Sequence, residues 1–337
     1  MDRIVLSESS DVVFGRGDIL VDRPTREAVA FLAQPGEPAR MADDLGASVA
    51  GLRTLVHLLP DREEAKELDT LGRVYDALAE FNLGRHDTVV GVGGGAATDL
   101  AGFAAATWLR GVESVLVPTT LLAAVDAAIG GKTGINRKGK NLVGAFWLPS
   151  RVLVDLDVLA ALPEPLLREG AAETLKAGLL ADPSIVEAYA SRGLAADIHE
   201  IVPRAIAVKV DVVREDPTEQ GRRAVLNLGH TVGHAVEYLA GLPHGHAVSV
   251  GLVAAGVVSH LRHGFDHRWL TDLLFSLGLP VAVAGVSLQA ALTLVARDKK
   301  RTADGVRMVL LRGVGEPVVE VVSQDEVETA MRAVGLS

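Results

Sequence analysis

Short apolar runs that alternate with helical segments constrain the fold of the first half of this chain more than any other feature. The strand-like runs are AVAFLA at 28–33, TLVHLL at 54–59, DTVVGVGGG at 87–95 and SVLVPTT at 114–120. Helical spacing of apolar residues is found between them, at 67–83 and 96–111. This alternation is typical of a mostly parallel sheet covered by helices. We therefore predict an α/β fold for this half.

The second half of the chain has a different pattern of apolar residues. After RVLVDLDVL at 151–159, helical periodicity dominates almost to the end, and only 306–313 and 316–322 are typical of strands. A chain of 337 residues is longer than one hydrophobic core usually supports. We predict two domains, an α/β domain over 1–158 and a mainly α-helical domain over 159–337.

Composition excludes several classes of function. The 49% hydrophobic and 23% charged residues are typical of a globular protein, and the net charge of −10 argues against nucleic-acid binding. The N-terminal segment lacks the apolar core of a signal peptide, and no uninterrupted apolar stretch is long enough to span a bilayer. We expect a cytoplasmic protein with neither membrane nor nucleic acid as a partner. Because cysteine is absent, any metal must be held by His, Asp or Glu.

GVGGGAATD, at 91–99, ends a strand-like run and opens a helical one. Backbone N–H groups at such a helix start can hold a pyrophosphate, and glycines let the main chain approach it closely. A tight strand–helix turn without a ligand would explain the same residues, and the match to GxGxxA is weak. We favour nucleotide or phosphate binding at this turn.

Four of the ten histidines lie between residues 226 and 248. His230 and His234 are spaced i, i+4 and share a face of the predicted helix. Such a pair alone is more often a polar helix face than a metal site. A third ligand would change the balance, and His244 and His246 follow closely downstream.

Glu173 offers a carboxylate for the same site. It precedes Lys176 by three residues among alanines and leucines, where lone charges are costly to bury, so both must be paired or ligating. Two imidazoles, a carboxylate and an open position form a catalytic zinc site.

Several longer segments resemble those of the 3-dehydroquinate synthase family, within the sugar-phosphate cyclase superfamily. They are GGGAATDLAGFAAATWLRG, VPTTLLAAVDAAIGGKTGIN, GKNLVGAF, AAETLKAG, LNLGHTVGHAVE and HGHAV. They occur in the family's order, from about residue 58 to 255. The resemblance implies an NAD-binding α/β domain, a helical metal-binding domain and a homodimer.

The resemblance also implies roles for individual residues. Glu173, His230 and His244 match the ligands of a divalent metal, Zn²⁺ or Co²⁺, while His234 matches a histidine that contacts the phosphate and assists proton movement. Asp126, Lys176 and Asn141 match positions at the substrate's hydroxyls and phosphate. Lys209 and Arg223 match positions at the carboxylate, with Asn227 beside them. Arg110 matches an arginine that reaches across the dimer to the phosphate, and Lys299 or Lys300 matches a further phosphate contact. The NAD positions are Glu63, Lys66, Gly94, Gly95, Asp99, Thr119, Thr120, Leu122, Lys132 and Lys140.

The implied reaction converts 3-deoxy-D-arabino-heptulosonate 7-phosphate (DAHP) to 3-dehydroquinate and phosphate, a step of the shikimate pathway. It runs by transient oxidation of C5 by NAD, β-elimination of phosphate, re-reduction and intramolecular aldol closure. NAD is regenerated in each cycle, so the enzyme is a carbon–oxygen lyase without net redox change.

Three alternatives differ in class. Another sugar-phosphate cyclase, of the aminodehydroquinate or epi-valiolone type, would share the fold and cofactors, but Lys176, Lys209 and Arg223 together favour a carboxylated substrate. A metal-dependent polyol dehydrogenase would release NADH. A catalytically inactive NAD-binding protein would not need an intact ligand set.

Of four departures from the family pattern, two concern the metal and the adenosine ribose. His246 stands where the family usually has glutamate after HG, a change that would alter the contacts around the metal ligands or, if the loop shifts, offer a competing ligand. Gln34 and Pro35 follow the first predicted strand, where an acidic residue would be expected to hold a ribose.

Overall fold

The structure, a computed structural model, describes residues 2–19, 21, 27–49, 51–297, 301–302 and 305–337. It separates into two compact units, Met1–Leu162 and Pro163–Ser337. The division falls four residues after the position predicted from sequence, 158, because a short helix after the last strand still packs on the first sheet.

The first unit is an α/β sandwich. Its elements are β1 (Arg3–Ser7), β2 (Ser10–Gly15), β3 (Ala28–Ala33), α1 (Glu37–Ser48), β4 (Arg53–Leu58), α2 (Leu68–Glu80), β5 (Thr88–Gly93), α3 (Gly95–Thr107), β6 (Glu113–Pro118), β7 (Lys132–Ile135), β8 (Val143–Phe146), β9 (Arg151–Asp155) and α4 (Leu156–Ala160). Seven strands form one sheet in the order β1-β2-β9-β6-β5-β3-β4, with all neighbours parallel except β1 and β2. The predicted fold class is thereby confirmed.

The centre of this sheet is buried on both faces. Every residue of β3 and β5 is buried, which explains why these strands read as continuous apolar runs in the sequence. Helix α3 packs directly on β5: a Cβ added at Gly91 would lie 2.5 Å from Cβ of Ala101. This close packing fixes the position of the glycine turn that joins the two elements.

Two local features of the first unit differ from the sequence prediction. The helix predicted to reach residue 111 ends at Thr107, because Leu109 and Arg110 take left-handed backbone angles, with φ of 49° and 68°. The antiparallel hairpin of β7 and β8 was not predicted, since its strands are four residues long and interrupted by glycine.

The second unit is mainly helical, as predicted. Its elements are α5 (Glu164–Ala181), α6 (Pro183–Arg192), α7 (Ile198–Glu215), α8 (His230–Ala240), α9 (His244–His263), α10 (His267–Ser276), α11 (Leu288–Arg297), β10 (Arg301–Thr302), β11 (Gly305–Gly313), β12 (Glu316–Val322) and α12 (Gln324–Ala333). The two predicted late strands, β11 and β12, pair antiparallel.

Helix α9 is the core of this unit. By length and composition it could cross a membrane, although no uninterrupted apolar run was evident in the sequence. However, 72% of its most apolar window is buried in the protein, as expected for a core helix. The Ser259 hydroxyl accepts a hydrogen bond from the Leu311 amide (2.9 Å), tying the small sheet to this helix.

Candidate active site

Three helices of the second unit bring a carboxylate and two imidazoles together. Glu173 lies in the middle of α5, while His230 and His244 are the first residues of α8 and α9. One ligand atom from each lies within 4.8 Å of the others, and this is the one group of three or more possible metal ligands found in the described part of the chain.

The hydrogen bonds of these side chains orient their ligand atoms. Nε2 of His230 and of His244 lie 3.5 and 3.4 Å from Oε1 of Glu173. Nδ1 of His230 lies 3.0 Å from the Leu228 carbonyl oxygen, which can only accept, so we assign the proton to Nδ1 and the lone pair to Nε2. The other oxygen of Glu173, Oε2, pairs with Nζ of Lys176.

The electrostatics of the group differ between its two imidazoles. Burial, aided by Lys176, lowers the pKa of His230 well below its usual value and keeps its imidazole neutral. Burial also lowers the pKa of His244, but hydrogen bonds to Glu173 and Glu237 outweigh it and raise the pKa to about 10. Two nitrogens and an oxygen at this spacing fit Zn²⁺ or a similar divalent ion.

Backbone-to-backbone helix packing brings the three ligands to one place. Gly229, with φ of 79°, turns the chain just before His230. A Cβ added at Gly251 would overlap the carbonyl oxygen of Gly229, and one added at Gly245 would overlap that of Glu169. Helix α9 therefore touches both α8 and α5 closely, which a larger side chain would prevent.

His234 and His246 lie outside the group of three. The His234 ring lies one turn beyond His230, with centroids 5.0 Å apart. Burial lowers the pKa of His246. The charge of Glu169 on α5 opposes this shift, and the charge of Arg168 adds to it. His246 is not part of the group of three described above, and its competing role stays a prediction.

Two buried cations occupy the neighbouring segments of the same unit. Lys209 on α7 and Arg223 in the 3₁₀ segment Arg222–Asn227 are only 8% and 2% exposed. Arg223 donates from Nη1 to the Pro217 carbonyl (2.6 Å), and Asn227 donates from Nδ2 to Glu219 Oε1 (3.0 Å). The remaining predicted phosphate contacts, Lys299 and Lys300, lie outside the described residues.

In the first unit, the glycine turn stands at the carboxyl end of the sheet. Gly93 ends β5, and Gly95 begins α3. The chain proceeds from β3 to β4 on one side and from β5 to β6 on the other, so the turn lies at a topological switch point, where α/β proteins bind ligands. Gln34, at the end of β3, accepts a hydrogen bond from the Gly94 amide (2.8 Å) and so braces the turn.

Most of the predicted NAD positions cluster around one buried lysine or line the strand ends beside it. Lys66 is 2% exposed and contacts both Asp99 Oδ2 and Asn141 Oδ1. Lys140 Nζ lies 3.5 Å from Glu63 Oε1. Asn141, matched by resemblance to a substrate position, thus lies beside the NAD positions.

The other predicted residues of this unit lie nearby or at its surface. Asp126 lies in the π-helical segment Ala123–Ala127, a rare backbone form that is frequent at functional sites. Burial raises the pKa of Asp99, an effect that Lys66 opposes and the charge of Asp126 adds to. The remaining positions are Thr119 and Thr120 after β6, the half-buried Leu122, and the exposed side chains of Lys132 and Arg110.

Sequence reasoning passed over two residues that contact predicted site residues. Asn136 donates from Nδ2 to Glu63 Oε2 (2.7 Å). Glu237 Oε2 lies 3.0 Å from Nδ1 of His244. The second could have been found, because residue 237 follows His230 by seven positions and therefore shares its helix face.

Comparison with known proteins decides the family. A family model described as 3-dehydroquinate synthase N-terminal matches residues 56–169, and one described as 3-dehydroquinate synthase C-terminal matches residues 170–301. A 3-dehydroquinate synthase from Corynebacterium jeikeium (strain K411) is 43% identical over 337 residues, covering 94% of this chain and 90% of that protein. The chain belongs to the 3-dehydroquinate synthase family.

Solved structures of related cyclases agree with the family's fold. A 2-epi-5-epi-valiolone synthase from Streptomyces hygroscopicus subsp. jinggangensis 5008, with NAD⁺ and Zn²⁺ bound, superposes with a TM-score of 0.86 at 28% identity, covering 98% of both chains. A 2-deoxy-scyllo-inosose synthase complexed with carbaglucose-6-phosphate, NAD⁺ and Co²⁺ also gives 0.86, at 25% identity and 99% of both chains. The family assignment and the fold predicted from the sequence are confirmed.

Proposed function

We propose that this chain catalyses the reaction of its family, converting DAHP to 3-dehydroquinate and phosphate, with NAD and a divalent ion, Zn²⁺ or Co²⁺. The observation that carries the proposal is the convergence of Glu173, His230 and His244 in a chain of this family. We place the reaction in the cytoplasm, where NAD is available, and the enzyme in a homodimer.

Glu173, His230 and His244 would hold the ion through one carboxylate oxygen and two Nε2 atoms. When bound, the ion supplies Lewis-acid polarisation and NAD a reversible hydride acceptor, both for the C5 carbinol. Lys176 keeps its ammonium beside Glu173, where Nζ can donate to the same hydroxyl oxygen and favour loss of its proton.

We assign His234 to the phosphate group. Its ring lies 5.0 Å from that of His230, so it shares the metal-facing side of α8. From there its imidazole can hold the phosphate ester so that a phosphate oxygen accepts the proton beside the oxidised carbon. Asp126 and Asn141 would complete the contacts to the substrate's hydroxyls and phosphate.

The substrate carries a carboxylate as well as a phosphate, and the protein has a net charge of −10. Local cations must therefore hold both anions. Lys209 and Arg223 are buried cations of the metal-binding unit, and both match positions that hold the carboxylate in the family. We assign them to the carboxylate, with Asn227 beside them, and Lys299 or Lys300 to the phosphate.

The first unit supplies the proposed NAD site. The backbone N–H groups of Gly94 and Gly95 at the start of α3 can hold the pyrophosphate. Residues around Lys66 and at the end of β6 would hold the remainder of the dinucleotide; they are Glu63, Lys66, Asp99, Thr119, Thr120, Leu122, Lys132 and Lys140.

The test is incubation of the purified chain with DAHP, NAD and Zn²⁺, following orthophosphate, the cyclised product and NADH absorbance. We expect phosphate and 3-dehydroquinate in equal amounts with no net NADH. A hexose 6-phosphate, which has no carboxylate, serves as the control substrate and should not react. Net NADH release, or turnover of the control substrate in preference to DAHP, would contradict the proposal.

A further inference from the structure

Glu237 is a half-buried glutamate whose carboxylate contacts one of the predicted metal ligands, His244. Its side chain is 13% exposed, and its Oε2 lies 3.0 Å from Nδ1 of His244. An ionised carboxylate only accepts hydrogen bonds, so Nδ1 of His244 donates and Nε2 is the atom left to face Glu173.

The fold places this contact at a tight corner. Helix α8 ends at Ala240 and α9 begins at His244, so only residues 241–243 separate the two helices. Glu237 follows His230 by seven residues and shares its helix face, which brings the carboxylate under the first turn of α9. The hydrogen bond thus joins the helix that carries one imidazole to the helix that carries the other.

The three predicted ligands are supported by groups of different charge. Glu173 is paired with the ammonium of Lys176, and His230 donates to the neutral carbonyl of Leu228. His244 alone among them donates to a carboxylate. Since Lys176 offsets the charge of Glu173, the charge of Glu237 leaves these carboxylates and the ammonium with a net charge of −1, which favours a divalent cation.

We propose that Glu237 is a positioning residue for the metal ion: it holds His244 with Nε2 directed at the ion and adds negative charge that strengthens binding. This inference rests on the proposed function, because it assumes that the group of three binds a divalent ion. Carboxylates that accept from ligating imidazoles change metal affinity by about 10–100-fold in metalloproteins.

Two substitutions separate the orienting role from the charge. Glu237→Gln retains an oxygen that can accept from Nδ1 but removes the charge, whereas Glu237→Ala removes both. Glu187→Gln is the matched control, since Glu187 is an exposed glutamate on helix α6 of the same unit.

The experiment is a Co²⁺ titration of the metal-stripped full-length chain against a chelating dye, with the visible Co²⁺ spectrum recorded and no substrate present. We expect Glu237→Ala to lower affinity by about 10–100-fold and to change the spectrum, and Glu237→Gln to fall between it and the wild type. Glu187→Gln should bind as the wild type does. Unfolding temperatures of the metal-free variants should remain close to that of the wild type, which a merely structural role would not produce.

The outcomes distinguish the two proposals. Wild-type affinity and spectrum in Glu237→Ala would overturn the role of Glu237 while leaving the metal site intact. Absence of Co²⁺ binding in the wild type would overturn the metal-dependent function, and this inference with it. If Glu237→Ala does not fold, unchanged affinity in Glu237→Gln would overturn the contribution of charge.

Discussion

At the scale of single residues, buried charged side chains are the clearest indication of the candidate site. Glu173, Lys176, Lys209 and Arg223 are all at most 8% exposed. A charge removed from water costs several kcal/mol unless it is paired or hydrogen-bonded, so such residues point to ligands or partners. Glu173 and Lys176 pair with each other, while in our proposal Lys209 and Arg223 hold the substrate's carboxylate.

Replacing Lys209 tests that assignment. In Lys209→Met the aliphatic stem is kept and the cation is lost, so we expect KM for DAHP to rise about 10–100-fold, with a smaller effect on kcat, because charge-assisted hydrogen bonds contribute about 1.5–3 kcal/mol. Steady-state phosphate release measures both constants. The matched control is Lys138→Met, an exposed lysine of the first unit outside every proposed contact. A Lys209→Met enzyme with wild-type KM and kcat would show that the carboxylate lies elsewhere.

Residue spacing alone predicts only part of the candidate site. The i, i+4 rule pairs His230 with His234, yet the structure groups His230 with His244 and Glu173. Helix periodicity describes neighbours on one helix, whereas His244 arrives from the next helix and Glu173 from a helix more than fifty residues earlier. The residues themselves made His244 and Glu173 candidates, but the choice of His244 over His234 came from family resemblance and not from spacing.

At the scale of helices and strands, close backbone packing in the second unit determines where the ligands meet. Gly245 and Gly251 allow α9 to contact the backbone of α5 and of the residue before α8. Most residues of α9 are buried, and Ser259 on this helix accepts a hydrogen bond from β11, so the ligands lie on a well-packed support.

Two glycine substitutions should have opposite effects. Gly245→Ala places a methyl group on the Glu169 carbonyl, so we expect about 1–3 kcal/mol of lost stability and weaker Co²⁺ binding. Gly72→Ala, in the exposed face of α2 with nothing within 4 Å, should increase the free energy of unfolding by about 0.5–1 kcal/mol. Urea unfolding measures both. Equal effects of the two substitutions would contradict the packing account.

The contacts at the start of the last helix, α12, lead us to expect that stability depends on pH. Glu326 forms a capping box with Ser323 at the start of α12 and accepts two hydrogen bonds of 2.7 Å from Arg262 on α9. The Arg262 hydrogen bonds, opposed by burial, lower the pKa of Glu326 from 4.5 to about 2. Because the folded-state pKa is the lower one, the stabilisation is present above pH 4.5 and is lost as pH falls through about 2.

Glu326→Gln should therefore lower the free energy of unfolding by about 1–2 kcal/mol at neutral pH and flatten its change over the acid range. Urea unfolding as a function of pH provides the measurement. Glu328→Gln is the control, since Glu328 lies on the same helix and its ion pair with Arg332 is a surface i, i+4 pair worth little. Identical pH profiles for the two variants would disprove the coupling between α9 and α12.

Strands that are buried on both faces were the easiest elements to predict. β3 and β5 are continuous apolar runs because helices cover both sides of a central parallel sheet. β1 and β2 were missed because polar residues surround a short hairpin whose first strand is only partly buried. The left-handed backbone angles of Leu109 and Arg110 were not predicted, because neither leucine nor arginine is typical of a helix end.

At the scale of the whole molecule, the chain divides its proposed tasks between two units. The predicted NAD positions all lie within Met1–Leu162 and the predicted metal ligands within Pro163–Ser337. The alternation of strands and helices, followed by helices alone, predicted this order. It did not predict that Lys66 contacts Asp99 and Asn141, because sheet topology decides which distant segments meet.

Mixing two inactive variants tests the proposed homodimer. Arg110 is exposed on a turn with left-handed backbone angles, and family resemblance places it at the partner's phosphate. Arg110→Ala and Glu173→Gln should each be inactive alone. After unfolding and refolding together in equal amounts, they should recover about a quarter of the wild-type activity, because half of the dimers are mixed and each has one complete site. No recovery in verified mixed dimers would show that Arg110 acts within its own chain.

Metal dependence of phosphate release tests the central claim most directly. The chain is stripped of metal with a chelator, and phosphate release from DAHP with saturating NAD is measured as Zn²⁺ is added back. We expect no activity in the stripped protein, full activity at about one ion per chain, and no recovery in Glu173→Gln, which keeps the size but loses the charge of the ligand. Full phosphate release by a chain shown to contain no metal would contradict the account.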